Sequence, residues 1–189
     1  LVCGGKNAPD NLRDAMLLDL ARLFFFPALM AFAAASDLLT MTIPNRVSLL
    51  LIGGFFALAF ITGMSWEAIG WHSLAGLTVL VVAFACFAFG WIGGGDAKVA
   101  AAAGLWIGFG YLLDYLTFAA IAGGILTFVI LLFRKWPLPS FLISQDWLTR
   151  LHDKNTGIPY GIALAVGALL IYPNTDWIKA VDLFQLAMQ

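Results

Sequence analysis

An α-helical bundle of about six transmembrane segments is the fold class this sequence predicts, and three observations predict it. The 189 residues are 62% hydrophobic and only 11% charged, with a mean hydropathy of +0.93, whereas about a quarter of a soluble domain is charged. Charges and turn residues divide the chain into apolar stretches near 17–36, 47–64, 71–92, 97–113, 115–133 and 158–173, each close to the ~17–25 residues that cross a bilayer as a helix. These stretches are continuous runs of Leu, Ala, Phe and Gly rather than the alternating pattern of barrel strands, and lipid offers a backbone no hydrogen bonds, so helices must span.

The first span, near 17–36, follows a polar segment, 1–16, that lacks the early apolar core of a signal peptide. The remainder, 17–189, is expected to form one membrane-embedded domain. Counting spans puts Arg46, Lys98, Arg134, Lys135, Arg150 and Lys154 on one side, while the other internal loops carry no Lys or Arg. The positive-inside rule assigns that side to the cytoplasm. Lys6, Arg13 and Arg22 run against this, interspersed with Asp10, Asp14 and Asp19. Trp66, Trp71, Trp136 and Trp177 fall at span ends, as an interfacial belt requires, and Trp91 closes the third span. Trp106 lies deeper, with no evident role.

In the fourth span Ala100, Gly104 and Gly108 recur every four residues, a small-residue face that admits a close helix neighbour near Asp96. Between the fifth and sixth spans, Leu138, Phe141, Leu142, Leu148 and Leu151 have near-helical spacing, which predicts a helix lying in the interface.

Composition also excludes functions. A formal charge of −1 with no basic stripe gives no footprint for nucleic acid. Two cysteines, Cys3 and Cys86, make neither a disulfide framework nor a four-thiolate zinc site, and Cys86 reads as a small buried hydrophobe. His72 and His152 fall in loops on opposite sides and are expected to face solvent, and Glu67 and Asp114 read as outer loop carboxylates. No metal or cofactor is implied.

Two carboxylates stand apart. Asp37 ends the first apolar stretch and Asp96 opens the fourth, so both are expected on one side at similar depth. A carboxylate beside hydrocarbon is costly and marks a site by default. Two aspartates sharing one proton can hydrolyse a peptide bond, one taking a proton from water and the other donating to the scissile carbonyl. Helix dipoles predict that Asp96, at an N-terminus near Lys98, ionises first and that Asp37, at a C-terminus, holds the proton. Alternatively, Asp96 is only the N-cap of its helix and Asp37 an ordinary loop residue. Gly93, Gly94 and Gly95 permit extended or positive-φ backbone against which a substrate strand fits.

Around these residues the chain resembles a known family. Gly93-Gly94-Gly95-Asp96-Ala97-Lys98 matches the GxGD signature of intramembrane aspartyl proteases in the GGGDxK form of type IV prepilin peptidases. The segment from Asp37 to Ile43-Pro44-Asn45 resembles that family's first catalytic motif, and Gly157-Ile158-Pro159-Tyr160-Gly161-Ile162-Ala163 its late PYG motif. The resemblance implies that Asp37 and Asp96 are a catalytic dyad, that Lys98, Pro44, Asn45, Pro159, Tyr160 and Gly161 shape the site, and that the substrate is a prepilin cut in an inner membrane at its cytoplasmic face. Nothing here matches the CxxC-bearing domain of forms that also N-methylate pilins, so methyl transfer is not expected. The short form is similar to the peptidases of tight-adherence (Flp) pilus systems, with archaeal preflagellin peptidases as close neighbours.

From the residues themselves, Pro44 rigidifies a turn, Asn45 is a candidate cap of the second helix, and Pro159 suits the first turn of the last helix with Asn155 or Thr156 as cap. Tyr160 is within reach of the dyad or lies in the interface. Arg134 and Lys135 read as membrane-flanking anchors. Two rival functions remain open: a proton-coupled transporter or channel, which favours midplane carboxylates and internal repeats, and a noncatalytic scaffold around pilins. The oligomeric state is not predicted.

Overall fold

The computed structural model describes residues 8–137 and 145–181, with side chains from residue 13. Among these residues every regular element is helical: α1 (Ala8–Thr40), α2 (Asn45–Ile61), α3 (Trp66–Ala88), α4 (Gly94–Ile107), α5 (Phe109–Phe133), α6 (Asp146–His152), α7 (Tyr160–Ile171), a 3-10 turn (Tyr172–Asn174) and α8 (Asp176–Lys179). Three segments, Arg13–Thr40, Trp66–Ala88 and Phe109–Phe133, are long and apolar enough to cross a membrane, and Asn45–Ile61 and Tyr160–Asn174 are shorter apolar helices. The outward sides carry Phe24, Leu49, Val81, Phe84, Leu113 and Phe128, all exposed, an exterior suited to hydrocarbon and not to water.

The fourth segment departs most from expectation. α4 has 14 residues, about 21 Å at 1.5 Å per residue, and stops at Gly108, whose φ of 72° breaks the helix. α5 then starts at Phe109, well before the expected boundary near 115. α4 is enclosed by α2, α3, α5 and α7, with Ala97 and every residue from Val99 to Ile107 buried. Its small residues allow this: a Cβ on Gly104 would sit 3.0 Å from Val79 Cγ2, and one on Gly76 of α3 would sit 3.1 Å from Ala101 O. The close neighbour is α3, along the length of α4 and as far as Gly94 beside Asp96, where a Cβ would lie 3.3 Å from Phe87 Cε2.

Trp106 finds its role at the end of the bundle remote from Asp37. Fully buried, it donates from Nε1 to Leu51 O (2.8 Å), and its own carbonyl accepts from Trp177 Nε1 (3.0 Å). Phe26, Phe55, Tyr172 and Trp177 surround it with ring centroids 5.1–6.3 Å away. Interhelical hydrogen bonds within membranes average about 0.6 kcal/mol, and each aromatic pair adds ~0.5–1.5 kcal/mol. Trp177 is thus core and not part of a belt, whereas Trp66, Trp71 and Trp136 are exposed at helix ends. Trp91 lies beyond α3, which ends at Ala88.

Other side chains also differ from the sequence expectation. His72 lies within α3 and is half-buried, its Nδ1 2.8 Å from Leu105 O and its ring beside Phe55. His152 ends α6 and is half-buried, with Nε2 2.8 Å from Trp136 O. Glu67 and Asp114 are exposed but helical, in α3 and α5, where Glu67 suits the positive N-terminus. Cys86 is half-buried in α3. Of the helix expected across Leu138–Leu151, the part from Asp146 is helical, as α6, while Leu138, Phe141 and Leu142 lie outside the described residues.

α7 seats against α5 at Gly167, where a Cβ would lie 2.7 Å from Ala119 N and 2.9 Å from Ala119 Cβ. Gly167→Ala is expected to push the two helices apart and to cost about 1–3 kcal/mol, read as a lower unfolding midpoint in detergent. Tyr115 is fully buried with a hydroxyl that has no partner among the described residues. Removing that unsatisfied group with Tyr115→Phe should leave stability unchanged or raise it by about 1 kcal/mol, in the same melt.

Candidate active site

α1 ends where its chain turns left-handed at Met41, φ 55°, with Met41 N–H donating to Asp37 O at 2.8 Å. Hydroxyls hold this turn: Ser36 Oγ donates to Thr42 O (2.9 Å), and Thr40 Oγ1 to Ser36 O (2.7 Å). Asp37 therefore sits in the last turn of α1, only 5% exposed. The chain doubles back through Ile43 to Pro44, the extended N-cap of α2 (φ −62°, ψ 137°).

Asp96 reaches the same place from α4. Gly93 is the N-cap of that helix, with φ −72° and ψ 147°, so Asp96 is the third helical residue and not the cap. The Gly93 backbone amide lies beside its carboxylate, where the third residue of a capping box reaches back. None of Gly93, Gly94 or Gly95 has positive φ, and Gly94 and Gly95 are helical, so an extended three-residue groove is absent. Two of the glycines serve close approach instead: a Cβ on Gly94 would lie 3.3 Å from Phe87 Cε2, and one on Gly93 2.9 Å from Asp96 Oδ2, while Gly95 packs on Ile43 at ordinary contact distance.

α7 completes the cluster. Pro159, buried, is the N-cap of α7, while Asn155 and Thr156 lie in the preceding turn and do not cap it. Gly161 N–H, one of the first-turn donors a helix cannot satisfy itself, donates to Asp37 Oδ2 at 2.7 Å across 124 residues of sequence. Only glycine fits there: a Cβ would lie 2.8 Å from Asp37 Oδ2 and 2.9 Å from Ile43 Cδ1.

Ile43 thus packs against both Gly95, the neighbour of Asp96, and Gly161, the donor to Asp37, so the two aspartates belong to one end of the bundle. Asp37 accepts the Gly161 N–H at the N-terminus of α7, and Asp96 stands in the first turn of α4. The C-terminal end of α1 and the N-terminal end of α7 thus both face Asp37, whereas Asp96 meets the N-terminal end of α4.

The other motif residues divide. Lys98 Nζ donates to Asn45 Oδ1 at 2.9 Å, tying α4 to the first residue of α2, so Asn45 is a partner for Lys98 and not a cap. Both stand at the mouth of an apolar groove of about 510 Å³ between α2, α3 and α4. Tyr160 turns toward α5: its ring packs on Gly123, and its hydroxyl lies 3.3 Å from Thr127 Oγ1. Among the described residues no three His, Cys, Asp or Glu side chains converge as metal ligands.

Arg134 is the functional candidate that sequence reasoning missed. It is buried, and its guanidinium donates to Leu151 O (2.8 Å), Thr156 O (3.0 Å) and Gly157 O (3.0 Å). No local pattern distinguishes it from Lys135, which stays exposed as a flanking anchor.

A polytopic helical bundle that gathers two carboxylates and a third helix's N-terminus at one end defines a membrane protein with an acidic candidate site. Residues 24–128, more than half of the chain, match the model of the type IV leader peptidase family, and the chain belongs to that family. The matched stretch holds Asp37, the Ile43-Pro44-Asn45 turn and the Gly93–Lys98 run, while the Pro159-Tyr160-Gly161 motif lies beyond it. Neither the curated proteins nor the solved structures searched contain a match.

The tightest of these contacts gives a test. Gly161→Ala should separate α7 from Asp37 and lower peptidase activity at least about tenfold, an effect in the range of misplaced catalytic groups. The unfolding midpoint of the purified variant should fall as well, as for Gly167→Ala, so its activity is compared with the wild type at a temperature at which both are folded.

Proposed function

We propose that this protein is an intramembrane aspartyl endopeptidase that removes the leader of a type IV, Flp-like prepilin, with Asp37 and Asp96 activating water at the cytoplasmic face of a bacterial inner membrane. The observation that carries this reading is that Gly161, which donates to Asp37, and Gly95, next to Asp96, both pack against Ile43, within a chain of the leader peptidase family. Membrane peptidases must supply water and acid–base groups at the edge of hydrocarbon, and both aspartates lie at helix ends on the side of the bundle that carries Arg46, Lys98, Arg134 and Arg150. That asymmetry supports the cytoplasmic assignment under the positive-inside rule.

In the mechanism one carboxylate is ionised and its neighbour protonated. The ionised member takes a proton from water as the oxygen attacks the scissile carbonyl carbon, and the protonated member donates to the developing oxyanion. The tetrahedral intermediate then collapses: the C–N bond breaks, a proton passes from the dyad to the leaving amine, and the leader departs as a carboxylic acid. The Gly161 N–H holds Asp37 throughout and the first turn of α4 holds Asp96, which limits reorganisation between steps. The pilin's apolar helix, which follows the cleaved leader, stays in lipid beside the bundle.

A proton-coupled transporter calls for carboxylates near mid-span, and the placement of Asp37 and Asp96 at helix ends speaks against it. Purified protein with a prepilin in detergent should release leader and mature pilin. Asp37→Asn and Asp96→Asn should each reduce the rate about a thousandfold or more, while Asp114→Asn, an exposed carboxylate of α5, should leave it unchanged. Cleavage that survives either dyad substitution rejects the two-aspartate mechanism, and proton flux into liposomes without cleavage would favour the transporter.

A further inference from the structure

We infer that Arg134 is a positioning residue for the reaction, holding Asp37 in place from two directions although it touches neither aspartate. The inference rests on the dyad proposed above. Arg134 follows the last turn of α5 at the end of the bundle where Asp37 lies. A membrane-flanking arginine would extend its head toward water or phosphates; this one is 9% exposed and turns its guanidinium inward.

One route runs through the segment before α7. Arg134 Nη2 donates to both Thr156 O and Gly157 O at 3.0 Å. These carbonyls lie four and five residues ahead of Gly161, whose N–H meets Asp37 Oδ2 at 2.7 Å. The N-cap of α7, Pro159, makes no side-chain hydrogen bond to the helix. Arg134 therefore fixes the height and direction at which the α7 N-terminus arrives.

A second route runs through α6. Arg134 Nε donates to Leu151 O at 2.8 Å, a last-turn carbonyl that α6 leaves free. The neighbouring Arg150 reaches the other way, its Nη2 donating to Leu39 O at 2.9 Å, in the last turn of α1 and two residues past Asp37. Both guanidiniums thus pair with carbonyls at helix C-terminal ends, where a cation is favoured. The planar fork of Arg134 spans three carbonyls of two segments, a task that the single ammonium of a lysine cannot copy.

The test uses full-length protein in detergent with a prepilin substrate, measuring kcat and KM for wild type, Arg134→Gln, Arg134→Ala and Arg134→Lys. In Arg134→Gln, kcat should fall about 10- to 100-fold, the range that small misplacements of catalytic groups produce, with KM changed less than about threefold. Ethylguanidinium should restore part of the lost kcat in Arg134→Ala. Amide exchange at Gly157, Ile158, Tyr160 and Gly161 should accelerate in all three variants. Tyr172→Phe, which removes a hydrogen bond to Arg22 O at the far end of the bundle, controls for general loss of stability and should keep its kcat.

A wild-type kcat in Arg134→Gln overturns the inference, as does a raised KM with kcat unchanged, which would make Arg134 a substrate ligand. A loss of kcat that tracks the unfolding midpoint, without rescue, makes the role merely structural and also overturns it. Should the Gln and Ala variants fail to fold, Arg134→Lys decides: wild-type kcat and wild-type exchange at Gly161 reject the positioning role. Asp96→Asn in the same assay separates the two levels, since activity there rejects the dyad, whereas an inactive Asp96→Asn beside a normal Arg134→Gln rejects only the role of Arg134.

Discussion

A buried carboxylate must be given donors, and here the donor comes from the far end of the chain. Asp37 is almost wholly removed from solvent at the last turn of a long apolar helix, and Gly161 N–H answers it at 2.7 Å. An unpaired carboxylate in such surroundings is too costly to keep. Much of the local architecture follows from that single requirement. The N-terminus of α7 must arrive beside α1, residue 161 must lack a side chain, and Ile43 must fill the space between Gly161 and Gly95.

The two ends of the bundle are built by opposite means. Away from Asp37, Trp106 is sealed among Phe26, Phe55, Tyr172 and Trp177, and indole N–H groups tie α4 to α2 and to the segment after α7. At the other end, backbone carbonyls and charged side chains do the joining: Lys98 with Asn45, Arg134 with the turn before α7, and Arg150 with α1. An aromatic, dry end can hold the helices in register while the polar end admits water and a peptide. That division suits a membrane hydrolase, whose reagents must be kept apart from lipid.

Between the ends, α4 acts as the axle. Alanines and glycines let α3 come close, so a helix of 14 residues is enclosed by its neighbours and presents Asp96 from a fixed first turn. The helix starts at an extended Gly93 without a side-chain cap, with Asp96 as its third residue. Rigid helix ends, and not loops, therefore carry both carboxylates, which favours precise placement.

By itself the sequence determined the all-helical membrane class, the segments that become α1, α2, α3, α5 and α7, and the two aspartates, because apolar run length and the cost of a charge near lipid are local properties. It also singled out the glycine run and the Pro159-Tyr160-Gly161 motif, although it read the glycines as an open groove where the structure uses them for contact. Only the tertiary structure decided that α4 is short and enclosed, that Trp106, Trp177 and His72 pack inward, that Asn45 serves Lys98, and that Arg134 is inside while Lys135 is outside. These outcomes depend on partners 33 to 71 residues away for the ring nitrogens and 17 to 23 for Arg134. The pairing of Asp37 with Gly161 is the extreme case, since a bond across 124 residues leaves no trace in the spacing of either neighbourhood.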